Sequence, residues 1–104
     1  MADHTIVITL TDGNHAVPKP EKSIVRVGDT LRYDTDPPGL PFIVEVPGSP
    51  FMDAPVLIID DREPRPLVQE GRFFWKCFLK LPTGLVGWVS GETPESGGDV
   101  DVRP

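Results

Sequence analysis

Proline sets the limits on what this chain can become. Thirteen prolines are spread over 104 residues, with ten glycines among them. A proline ring fixes φ and removes the amide hydrogen that a helix needs, so frequent proline breaks helices. The apolar residues push the same way, with 18 Val and Ile against 11 Ala and Leu. Branching at Cβ suits a pleated surface better than a helical one. A helix bundle is therefore excluded. The length fits one domain, residues 1–104, burying roughly two-thirds of its surface on folding.

Charge narrows the function classes. Ten basic residues against 16 acidic ones give a net charge of -6. Binding to nucleic acid needs a basic stripe to displace counterions, and this balance opposes it. Arg62, Arg65 and Arg72 read as an ordinary solvated surface. No run of about 18 apolar residues exists, so no membrane-spanning helix is expected. The opening MADHTIVITLTDG lacks a basic region and alternates, which marks a strand, not a secretory signal. A single cysteine, Cys77, excludes an internal disulfide and fits a reducing compartment. Cytoplasm is the default location, although a processed exported chain would look the same. No phosphate loop, zinc-ligand spacing, Gly-x-Ser-x-Gly or Cys/His pairing is present, so no catalysis is expected. An enzyme with an unrecognised site is the remaining alternative, because sites are grafted onto folds.

Alternation and turn residues divide the chain into about seven strands. These are residues 5–10, 23–27, 30–34, 42–46, 56–60, 72–79 and 85–90. A proline-broken crossing follows the turn at Asp12, Gly13 and Asn14. Gly28 and Asp29 make a tight turn, and proline-rich links occupy 36–41, 47–50 and 62–66. Seven closely spaced strands argue for an all-β Greek-key sandwich or barrel. The tail, 91–104, is acidic and Gly/Ser-rich, so its first half reads as mobile, with 99–102 at most an added edge strand.

Two blocks carry a family resemblance. The first is SIVRVGDTLRY at 23–33 with GLPFIVEV at 39–46; the second is GRFFWKCFLK at 71–80 with GLVGWV at 84–89. Together they resemble the plastocyanin-like cupredoxins. There a strand, Gly-Asp and a second strand precede Gly-x-Pro-His, and an aromatic-Cys strand precedes a His and Gly-Met-x-Gly-x-Val. The resemblance implies a cupredoxin-like Greek-key fold. It also implies that the four copper-ligand positions are occupied here by Phe42, Cys77, Lys80 and Leu85.

A type-1 copper site needs two imidazoles, a thiolate and a weak axial thioether. Phenyl and isobutyl groups offer no lone pair, and an ammonium with a pKa of about 10.4 is cationic at neutral pH. One thiolate cannot compensate, since affinity comes from several ligands held together. No cofactor is expected, and a copper electron carrier of unusual ligation is the weaker alternative. The expected function is a metal-free binding module of unspecified role.

In the resembled proteins the copper end carries an apolar docking collar. The corresponding residues here are Leu40, Pro41, Phe42, Pro82 and Leu85, with Phe42 and Leu85 expected as apolar plugs. Exposed apolar surface marks a contact site, so a protein partner or a homodimer would dock there. The plain alternative is that all five are core. Cys77 shares the inward face of its strand with Phe73, Trp75 and Leu79, opposite Phe74, Lys76, Phe78 and Lys80, and is expected to be core. Trp75 and Trp88 are expected in or against the sheets with their indole N–H groups bonded at an edge, an exposed Trp88 being the alternative that alternation leaves open. Loss of Met1 would begin the chain Ala2-Asp3-His4, which is similar to the amino-terminal copper/nickel motif.

Overall fold

The computed structural model describes residues 2–11, 15–20, 22–52, 56–87 and 97–104. Among them are ten strand segments and no helix. They are β1 (Asp3–Leu10), β2 (Ala16–Lys19), β3 (Lys22–Arg26), β4 (Thr30–Asp36) and β5 (Phe42–Glu45), then β6 (Leu57–Ile59), β7 (Arg65–Pro66), β8 (Gly71–Leu81), β9 (Gly84–Gly87) and β10 (Gly97–Arg103). No helix among the described residues is long and apolar enough to cross a membrane.

The strands form two mixed sheets, not a closed barrel. The smaller has the order β2-β1-β4-β7, and the larger β3-β10-β8-β5-β6 with β9 also paired to β8. Two pairs, β1/β4 and β3/β10, are parallel. The all-β expectation holds, whereas the count of seven strands was too low. Part of the supposed proline-broken crossing is β2, paired antiparallel with β1 from Val7↔Lys19 to Leu10↔Ala16. Pro18 is tolerated there because β2 is an edge strand, where a missing N–H need not cost a ladder bond. Pro66 sits on β7, the other edge of the same sheet.

Gly28 and Asp29 do not close a hairpin. They carry the chain from β3 in the larger sheet to β4 in the smaller one. Gly28 has φ of 96°, a conformation that costs glycine little. Its N–H donates to the carbonyl of Leu67, while the Asp29 N–H donates to that of Arg26.

Period-two alternation builds the core between the sheets. The smaller sheet contributes Ile6, Ile8, Ala16, Leu31 and Tyr33, and the larger contributes Val25, Phe42, Val44, Ile58, Trp75, Cys77, Leu79, Val100 and Val102. Tyr33 and Trp75 meet across the interface edge to face, with ring centroids 5.3 Å apart at 73°. That geometry suits the ring quadrupoles.

The segment Gly97–Arg103, read from sequence as part of the tail, forms β10 inside the larger sheet. It pairs with β8 on one side and β3 on the other. Residues 91–96 lie outside the described residues, as does the turn at 12–14. Truncation after residue 96 should therefore abolish the cooperative thermal transition followed by circular dichroism. The milder Val100→Ala should cost about 2 kcal/mol in urea unfolding. A truncated chain melting at the wild-type midpoint would contradict this role for β10.

Candidate functional site

The four positions matched to copper ligands are divided between two faces of one sheet. Cys77 and Phe42 point into the core and are fully buried. Lys80 lies on the opposite face of β8, where its register partner is Leu85 on β9. Leu85 is 61% exposed, so the expected second plug does not exist. The cause is that β8 continues unbroken. Its ladder with β9 runs from Phe78↔Gly87 to Leu81↔Gly84, and three residues along a strand reverse the face. Among the described residues no group of three or more His, Cys, Asp or Glu side chains is placed to hold a metal ion.

The expected docking collar is corrected in the same way. Phe42 is core and belongs to no exposed surface; Leu40 is half-buried, and Pro41, Pro82 and Leu85 are exposed. Arg62, which the sequence placed on a solvated surface, secures this end. It donates through Nε to Asp34 (3.0 Å) and through a terminal nitrogen to Thr35 Oγ1 (3.1 Å) and to the Leu40 carbonyl. Its guanidinium also lies over the Phe42 ring, 4.9 Å from the centroid. The Asp34 carboxyl sits below its usual range, chiefly because it accepts the Thr35 N–H and also because of Arg62. Asp60 accepts the Phe42 N–H at 2.8 Å.

Cys77 is held in the core as expected. Burial pushes its thiol up to about 12, so the thiolate is absent at neutral pH. Trp75 departs from expectation because its indole N–H finds no partner among the described residues, and neither does the Tyr33 hydroxyl. Burial also raises the Tyr33 pKa. Trp88 lies outside the described residues.

Substituting Phe42→His, Lys80→His and Leu85→Met together tests the division of faces. Titration with Cu(II) should give no intense thiolate-to-copper absorption. A blue band would mean that β8 leaves its ladder between residues 77 and 80.

At the opposite end of the sheets, Ala2 and His4 are committed elsewhere than to a nickel or copper square. The Ala2 N–H donates to Asp29 Oδ1 at 2.9 Å, and His4 Nε2 lies 2.9 Å from Asp29 Oδ2. Asp3 and His4 are already extended in β1 opposite Thr30 and Leu31. Wrapping Ala2, Asp3 and His4 around an ion would require these pairings to open. A pocket of about 410 Å³ lies between His4, Arg26, Asp29 and Arg103. Its charges are already engaged: Arg26 donates to the Pro104 carbonyl, and Arg103 pairs with Asp101.

Asp29 has three hydrogen-bond partners, Ala2, His4 and Arg26. The Ala2 N–H, then His4 and the Arg26 N–H, hold it down to about 2 from its usual 3.8. A depressed folded-state pKa stabilises the fold above the unfolded value, and the contribution disappears as pH falls through the folded one. Urea midpoints should therefore drop between about pH 4 and pH 2, and Asp29→Asn should flatten that slope. Equal slopes in both proteins would assign the acid sensitivity to other groups.

The outer faces of the two sheets differ sharply. On the smaller sheet, Asp3, Thr5, Thr9, Lys19, Thr30, Arg32 and Asp34 face outward together with the half-buried Val7 and Val17, and polar pairs bond across strands, as in Arg32 Nε to Thr5 Oγ1 at 3.1 Å. On the larger sheet the outward register row is Ile59, Ile43, Phe78 and Gly87, across β6, β5, β8 and β9. Ile59 is 49% exposed, and Leu57 and Leu85 in the flanking rows are 51% and 61% exposed. Glu45, Lys76 and Lys80 are the charges interspersed with them. The sequence alternation assigned Phe78 to this face but did not identify the patch, because Ile43, Leu57, Ile59 and Leu85 come from three other strands. No family model matches the chain, and no curated protein matches it.

Proposed function

We propose that this is a metal-free, cupredoxin-like interaction module, non-catalytic, which works through the outer face of its larger sheet. Several features support the cupredoxin-like part. The two resembling blocks lie together, with β5 paired to β8 from Phe42↔Leu79 to Glu45↔Lys76 and the closing segment folded as the β8–β9 hairpin. The strands are arranged in two sheets around a common core. Loss of metal ligation follows from the side chains at Phe42, Lys80 and Leu85 and from the buried, protonated Cys77.

The observation that carries the functional part is the asymmetry of the two outer faces. A solvated sheet face alternates polar residues outward, as the smaller sheet does apart from the half-buried Val7 and Val17. The larger sheet instead presents Leu57, Ile59, Leu85 and the half-buried Ile43 and Phe78. A contiguous apolar patch of this kind on a folded domain marks a place of contact. It adjoins the exposed Pro41 and Pro82, so the docking end expected from sequence becomes the margin of a broader face.

Leu57→Lys combined with Leu85→Glu tests this. Both side chains are exposed, so the double variant should fold and keep its melting midpoint within a few degrees. Partner binding should weaken by about fivefold or more, as for loss of an interface anchor. Unchanged binding to the physiological partner would refute the assignment.

A further inference from the structure

Resting on the reading of this face as an interaction surface, we propose that its partner is a second copy of the same face, related by a two-fold axis along the strands between β5 and β8. The face contains its own complement. Glu45 and Lys76 are register partners on the same side of the sheet, and neither is in an ion pair among the described residues. Rotation about an axis parallel to the strands exchanges β5 with β8. Glu45 of each copy then faces Lys76 of the other, giving two reciprocal pairs.

The apolar row matches under the same operation. Ile43 faces Phe78 of the other copy, and Ile59 faces Gly87. The Phe78 ring leans over Gly87, where a Cβ would lie 3.3 Å from two ring carbons. One ring therefore spans both positions, and two isoleucines from the opposite copy cover it. The alternative axis, across the strands, would place Lys76 against Lys80 and repel. A two-fold interface requires self-complementarity of this kind.

Size sets the strength. Four strands and three side-chain rows span about 20 Å by 20 Å at ordinary sheet spacings. That is smaller than the roughly 800 Å² per partner of stable complexes, so the dimer is weak and depends on concentration.

Sedimentation equilibrium of the whole chain between about 10 μM and 1 mM tests the proposal, a range suited to weak association. The wild-type average mass should rise above 11.4 kDa toward twice that value. E45K and K76E each place like charges opposite one another and should associate about tenfold more weakly. An equimolar mixture of the two variants should regain wild-type association, which no effect confined to one chain's fold predicts. Amide shifts of the wild type on dilution should also concentrate at Ile43, Ile59 and Phe78, a measurement that needs no variant to fold.

A wild type at monomer mass throughout, or a mixture no tighter than either variant alone, would overturn the second-copy proposal. If that monomer still binds a different partner, and loses it on the Leu57 and Leu85 substitutions, the interaction face stands and only its occupant is wrong. If it does neither, both readings fall.

Discussion

The parity of β8 governs most of this molecule. Its 11 residues are paired with β5 on one edge over Lys76–Leu79, and on the other with β10 over Gly71–Lys76 and then β9 over Phe78–Leu81. A strand so held cannot rotate its side chains independently of its ladder, so odd and even positions are committed to opposite faces. Trp75, Cys77 and Leu79 consequently anchor the larger sheet's share of the core. Phe74, Lys76, Phe78 and Lys80 are placed on its outer surface. Slipping the register by one residue would bury two lysines and expose the tryptophan, which is why the arrangement is strongly specified.

The same parity bears on the four positions that the sequence resemblance aligns with copper ligands. Residues three apart can converge on one ion only where the backbone leaves the ladder between them. Here the pairing Leu79↔Val86 and Lys80↔Leu85 continues through that interval. Strand regularity and the copper-ligand geometry are competing solutions for the same stretch of chain. The phenyl, ammonium and isobutyl groups of Phe42, Lys80 and Leu85 offer no coordination energy to offset broken ladder bonds.

Legibility in the sequence followed the range of each interaction. Alternation at Ile6, Ile8 and Leu10, and along 73–79, predicts strands because each side chain's face depends only on its neighbours. Failures arose where a distant partner decided the outcome. The pattern Asp99, Val100, Asp101, Val102 alternates cleanly, yet its acidic Gly-rich context obscured it until β8 and β3 flanked it on both sides. Gly28 and Asp29 are turn residues in any reading, but only the position of β4 reveals a passage between sheets. Arg62 looks like surface charge in sequence; Asp34, Thr35, Leu40 and Phe42, all remote along the chain, make it a clamp.

The outer face of the larger sheet shows how composition can stop short of either extreme. A fully apolar sheet face attracts irreversible association, and natural sheets interrupt such surfaces with charge. Lys76 and Lys80 alternate with Phe74 and Phe78 along β8, and Glu45 follows Ile43 by two on β5. Each charge lies beside an apolar neighbour in its row and so limits how much surface can be dried in one contact. β6 presents only three residues at the sheet's edge and is followed at once by Asp60 and Asp61. That leaves a short, acid-bounded edge and a face that can release water over a small area. On the proposed reading of this face as an interaction surface, such a composition favours contacts that form and separate, in keeping with the modest dimensions of the patch.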